Sequence, residues 1–92
     1  MLRIEFTGQF KRDYKLALKR GCNEKDLAKV VSLLASEQPL PAKYRDHALE
    51  NSRNCKGMRE CHIKPDWLLI YKIYADKLVL ELIRTGTPSD LF

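Results

Sequence analysis

Ninety-two residues, 45% of them hydrophobic, suffice for one domain spanning residues 1–92, because a chain of this length buries only about 60–65% of its unfolded surface. Seventeen Lys and Arg against twelve Asp and Glu give a formal charge of +5, which favours polyanionic partners such as nucleic acid, although many basic domains bind none. No apolar run approaches the roughly 18 residues of a membrane span, and MLRIEFTGQF lacks the apolar core and small-residue cleavage site of a leader, so a cytoplasmic protein without membrane association is expected.

Residues 2–6 (LRIEF) alternate apolar and polar and predict a short strand. From Thr7 the spacing changes to Phe10, Tyr14, Ala17 and Leu18, one face of a helix that ends near Gly21. On this helix Lys11, Lys15 and Lys19 recur every four residues, either to track an RNA backbone or as a plain solvated face. Asn23 is a good N-cap, Glu24 and Asp26 suit the positive end of a helix dipole, and Leu27, Val30, Val31 and Leu34 follow at helical spacing. This second helix stops before Pro39. The connection from Pro39 to about Lys56 is long for a small domain and carries His47. Three strands are then expected at about 58–63, 67–74 and 78–85, separated by Lys64-Pro65-Asp66 and Ala75-Asp76. The order β-α-α-β-β-β describes an α+β fold with two helices packed on a mainly antiparallel sheet.

A hairpin turning at Ala75-Asp76 places Tyr74 opposite Lys77 and Trp67 opposite Arg84, and a turn at Lys64-Pro65 places His62 opposite Trp67. In that register His62, Trp67 and Arg84 form a row, Glu60 shares the face of His62, and Asp66 sits in the adjoining turn. An acid–base group, a cation and carboxylates are the parts needed for metal-independent RNA cleavage, in which a base takes the 2′-OH proton and an acid protonates the leaving oxygen. The alternative is ordinary strand polarity and a surface ion pair, which look the same in sequence. Leu69, Tyr71, Leu80 and Leu82 fall on one sheet face and Leu68, Ile70, Val79 and Ile83 on the other. Two short helices cannot cover both, so a partner is expected to cover the remainder. Cys22, Cys55 and Cys61 are odd in number and suit a reducing compartment. With His47 and His62 they show neither C-x2-C nor H-x3-H spacing, so no metal or other cofactor is expected.

D-H-A-L at 46–49, R-E-C-H-I-K-P-D-W at 59–67, L-L-I-Y-K at 68–72 and R-T-G-T-x-S-D-L-F at 84–92 together resemble the YafQ group of RelE-like toxins. The resemblance implies a RelE-like fold and a ribosome-dependent endoribonuclease that cuts mRNA in the A site. It also implies a cognate antitoxin as partner, and an antitoxin complex that binds operator DNA. His47, His62 and Asp66 match catalytic positions, Glu60 an acidic position beside them, and Arg84 a phosphate-stabilising one. Lys56, Arg59, Lys64 and Trp67 are expected to contact RNA, with Phe92 as a C-terminal aromatic that holds substrate. Where the family commonly has a histidine before S-x-L-F, this chain has Pro88, which cannot transfer a proton. The acid role then passes to His47 or His62, or the activity is attenuated. A topoisomerase-inhibiting toxin of the related ParE type and a catalytically inactive repressor module are the competing readings.

Overall fold

The computed structural model describes residues 1–49 and 57–91, so Cys55, Lys56 and Phe92 lie outside the described residues. Its elements are β1 (Arg3–Phe6), α1 (Gly8–Lys19), α2 (Glu24–Ala35), a 3-10 turn (Ala42–Tyr44), β2 (His47–Ala48), β3 (Arg59–Lys64), β4 (Trp67–Tyr74), β5 (Val79–Gly86) and α3 (Pro88–Leu91). The five strands form one sheet in the order β1-β5-β4-β3-β2. β1 runs parallel to β5, and the other neighbours are antiparallel. The expected α+β architecture is therefore present, with β2 and α3 added to the expected elements.

Thr7 sets the junction between β1 and α1. Its N–H donates to the Leu82 carbonyl at 3.1 Å and its hydroxyl donates to the Ile83 carbonyl at 2.7 Å. The same hydroxyl oxygen accepts from the Phe10 N–H at 2.9 Å, capping α1. One side chain thus starts the helix and anchors it to β5. Asn23 caps α2 by accepting from the Lys25 N–H, with Glu24 and Asp26 in the first turn as expected. Leu27, Val30 and Leu34 of α2 and Phe10 and Ala17 of α1 bury against Cys61, Ile63, Trp67, Leu69, Tyr71, Leu80 and Leu82, forming the core on the helix side of the sheet.

Both hairpins depart from the expected register. The β4–β5 turn takes four residues, 75–78, so Tyr74 pairs with Val79 rather than Lys77. Tight two-residue turns need Gly or Asn where φ is positive, and Ala75-Asp76 supplies neither. The longer turn instead places Leu78 in the left-handed region at φ 54°. A bulge then displaces Ile83, so that Ile70 pairs with Arg84 and Leu69 with Thr85. In the first hairpin Lys64 pairs with Trp67 and, past another irregularity, His62 pairs with Leu68. The expected row of His62, Trp67 and Arg84 does not form. Trp67 instead lies in the helix-side core at 4% exposure, its indole N–H donating to the Thr85 hydroxyl at 2.8 Å.

The connection before β3 also holds more structure than its sequence suggests, namely the 3-10 turn and β2, which pairs His47 with Glu60 and Ala48 with Arg59. Leu68, Ile70 and Val79, on one of the two apolar faces expected from the sequence, are buried although they stand outside the helix-side core. The large exposed hydrophobics among the described residues are elsewhere, at Met1 just before β1, Ile4 and Phe6 on β1, Leu16 and Leu18 on α1, and Ile73 and Leu78 around the last hairpin.

Candidate active site

Across four strands the pairing His47↔Glu60, Glu60↔Ile70 and Ile70↔Arg84 makes a row of a different membership from the one expected. His62 stands two residues beyond Glu60 on β3 and, by strand alternation, on its face. Glu60 is a buried carboxylate, 8% exposed at its side chain, and its Oε1 lies 3.5 Å from His47 Nε2 and 3.7 Å from His62 Nε2. His47 Nδ1 is 2.7 Å from the Arg45 carbonyl, and His62 Nδ1 is 3.3 Å from the Pro65 carbonyl. A carbonyl only accepts, so each Nδ1–H donates and each Nε2 is the ring nitrogen turned to Glu60. Two imidazoles, 6.4 Å apart between centroids, thus flank one carboxylate oxygen. Among the described residues no three His, Cys, Asp or Glu side chains are grouped to hold a metal ion.

Arg84 lies two strands from Glu60, on the order of 10 Å away between backbones. Its guanidinium turns to α1, donating from Nε and Nη2 to the two carboxylate oxygens of Asp13 at 3.0 and 3.1 Å. Asp13 also accepts from Gln9 Nε2 and from the Thr85 N–H. Burial raises the Asp13 pKa, but these bonds and the Arg84 charge outweigh it and hold the carboxyl below its usual range. Asp66, exposed in the β3–β4 turn, lines one cavity of about 310 Å³ together with Arg84, Trp67 and Thr85. A second cavity, about 350 Å³, opens beside His62 and is lined by Lys29, Lys43, Arg45 and Lys64. The expected catalytic residues thus divide: His47, Glu60 and His62 converge, while Arg84 and Asp66 line a neighbouring cavity.

Of the residues expected to contact RNA, Lys64 is exposed and 3.5 Å from Asp26. Arg59 donates from Nε and Nη2 to Asp46 at 3.2 and 3.1 Å. Asp46 also accepts from the hydroxyl of Tyr71 at 2.5 Å. Burial, followed by this bond, pushes the Tyr71 phenol well above its ordinary range. Asp13 and Asp46 are the residues the sequence reading missed. Asp46 is half announced by its place beside His47, and Asp13 only by being the lone carboxylate in the sequence of α1.

Pro88 is the first residue of α3. Thr87 and Asp90 cap that turn reciprocally: the Thr87 N–H donates to Asp90 Oδ2 at 3.0 Å, and the Asp90 N–H donates to the Thr87 hydroxyl oxygen at 3.2 Å. Proline is favoured at this position, where its missing N–H is no loss.

This sheet, with two helices on one side and a His–Glu–His cluster at β2 and β3, belongs to a toxin fold. Residues 2–92 match the family model of the YafQ bacterial toxins of type II toxin-antitoxin systems, and the chain belongs to that family. It is 49% identical over 90 residues to an mRNA interferase toxin YafQ of Escherichia coli (strain B / BL21-DE3), covering 97% of this chain and 94% of the relative. Among solved structures, a metal-bound toxin from Helicobacter pylori superposes with a TM-score of 0.92 at 47% identity, covering both chains completely. The E. coli DinJ-YafQ complex matches with a TM-score of 0.87 at 45% identity, over 100% of this chain and 99% of that one.

Proposed function

We propose that this chain is an endoribonuclease that cleaves mRNA in the ribosomal A site, with His47 and His62 as its acid–base pair. The observation that carries this reading is the presentation of both Nε2 atoms to a single buried Glu60 oxygen, at 3.5 and 3.7 Å. One imidazole, entering neutral, takes the proton from the substrate 2′-oxygen as that oxygen attacks the adjacent phosphorus. The other, entering as imidazolium, gives its proton to the departing 5′-oxygen, leaving a 2′,3′-cyclic phosphate and a 5′-hydroxyl. Glu60 stabilises whichever ring is charged, and Arg84, two strands away on β5, offsets charge developing on the phosphorane.

The nucleophile belongs to the substrate, so the step requires no metal-bound hydroxide. A zinc- and copper-selective chelator that spares the ribosome's magnesium is expected to leave the rate unchanged, and a tenfold loss would overturn the metal-independent step. Arg84 is engaged by Asp13 and the Trp67 ring is buried, so this surface offers few groups to orient a nucleotide. The ribosome supplies that orientation by holding the mRNA in place. Lys64 and Asp66, both exposed at the β3–β4 turn, border the path of the strand, whereas Arg59 is committed to Asp46.

The relative crystallised as a DinJ-YafQ complex supports a cognate antitoxin for this chain. An apolar groove of about 460 Å³ between β1, α1 and α2, lined by Ile4, Phe6, Phe10, Tyr14, Leu27 and Val31, is the surface we assign to it. Lys11 and Lys15 stand on its rim, which fits an amphipathic antitoxin segment with acidic flanks. Operator binding then follows through the antitoxin. No helix among the described residues is long and apolar enough to cross a membrane, and the cytoplasm is the proposed compartment.

The test is cleavage mapping on purified translating ribosomes. Cuts in the wild type that fall by about 10²–10⁴-fold in His47→Ala and His62→Ala are expected. Absence of cuts both in the wild type and in Pro88→His would instead favour a repressor module.

A further inference from the structure

We propose that Asp46, gripped by Arg59 and Tyr71, is a positioning residue that holds His47 in its working place. This rests on the reading that His47 takes part in cleavage. β2 is only two residues long, a poor anchor for a side chain that must sit within bonding reach of Glu60. Among the described residues the main-chain pairing of β2 is confined to the two ladder partners, His47↔Glu60 and Ala48↔Arg59, and the Leu49 N–H to Met58 carbonyl bond. The chain also enters β2 through a left-handed residue, Arg45, at φ 48°, ψ 42°. A side chain with a Cβ adopts that conformation at a cost and persists in it only where its surroundings enforce it.

Asp46 supplies the enforcement. It lies between the left-handed Arg45 and His47, and its two oxygens take three donors, two from Arg59 and one from Tyr71. Arg59 and Tyr71 are themselves cross-strand partners on β3 and β4, and Tyr71 is 1% exposed in the core. Asp46 is therefore tied to the rigid centre of the sheet. Successive strand residues face opposite ways, so fixing Asp46 on one side aims His47 to the other, toward Glu60. It also fixes the Arg45 carbonyl that receives His47 Nδ1–H. The clamp thus sets both the position of the imidazole and the nitrogen that carries its fixed proton.

The test is a double-variant cycle on translating ribosomes with Tyr71→Phe, Asp46→Asn and His47→Ala, accompanied by NMR of the His47 ring. Tyr71→Phe and Asp46→Asn are each expected to lower kcat by about 10–100-fold, the scale of a displacement near 1 Å, with KM for programmed ribosomes unchanged. In the His47→Ala background the same substitutions should cost nothing further, because their effect passes through that ring. The His47 ring resonances should shift in Tyr71→Phe while those of His62 stay. An impaired His47→Ala combined with equal losses in both backgrounds would overturn the clamp alone, marking Asp46 as merely structural. Unchanged kcat in Tyr71→Phe and Asp46→Asn would overturn it too. A fully active His47→Ala would remove the assignment of His47 itself, and the clamp with it.

Discussion

Glu60 is costly to bury as a carboxylate unless charged or donating groups surround it, and the groups nearest its Oε1 are two imidazoles. Glu60→Gln keeps the shape and removes the charge. It should reduce cleavage by about 10²-fold while leaving the melting temperature equal or slightly higher, because relieving a buried charge offsets the lost attraction. A large fall in melting temperature would mean that Glu60 is structural. Pro88 presents the reverse case, a position where the local fold welcomes the residue and the chemistry does not. At the first position of a capped turn, Pro88→His should change stability by less than about 1 kcal/mol, since surface substitutions away from packing rarely do more. If cleavage rises more than tenfold in Pro88→His, the histidine pair of the wild type is working without a helper. The motif residues His47, Glu60 and His62 were readable from sequence, but their meeting at one oxygen was not. Nothing in D-H-A-L indicates that this segment adds a fifth strand beside β3.

At the level of elements, α1 is attached to the sheet through two polar side chains, Thr7 and Asp13. Asp13 gathers Arg84, Thr85 and Gln9, and so ties the helix to the residue expected to face phosphate. Its folded pKa is lowered, so the stability it contributes is present above its unfolded value and is lost as pH falls through the lower, folded one. Urea denaturation midpoints should therefore decline on acidification below about pH 4. In Asp13→Asn that part of the decline should be missing, with about 2 kcal/mol lost at neutral pH. An unaltered acid limb in the variant would place the titration elsewhere. The two helices were legible because their caps and apolar spacing are local signals. Hairpin register was not, because the bulge at Ile83 sits where the Thr7 hydroxyl, 76 residues away in sequence, donates to its carbonyl, a contact no local pattern signals. α3, four residues long, is too short to carry a periodic pattern.

Across the whole molecule, among its described residues, the catalytic candidates and the apolar groove are served by different elements, β2 and β3 for the first, β1, α1 and α2 for the second. An apolar surface awaiting a partner was expected on whichever sheet face the two helices leave uncovered. That face is largely buried, and the exposed apolar residues lie instead on β1, on α1 and around the last hairpin. An antitoxin seated in this groove would leave the His–Glu–His cluster uncovered, so inhibition would have to come from excluding the toxin from the ribosome. Separation of the two surfaces makes them separable by mutation. Phe6 is 51% exposed and contributes only part of its ring to packing on Phe10, so Phe6→Asp should fold. Loss of an aromatic anchor of this kind costs about 2 kcal/mol or more, roughly a 30-fold weaker complex with the antitoxin. Cleavage on ribosomes by the free variant should match the wild type, and in cells its toxicity should escape neutralisation. If Phe6→Asp binds the antitoxin normally by calorimetry, the groove is not the docking site, and the exposed residues of the last hairpin, Ile73 and Leu78, become the surface to test.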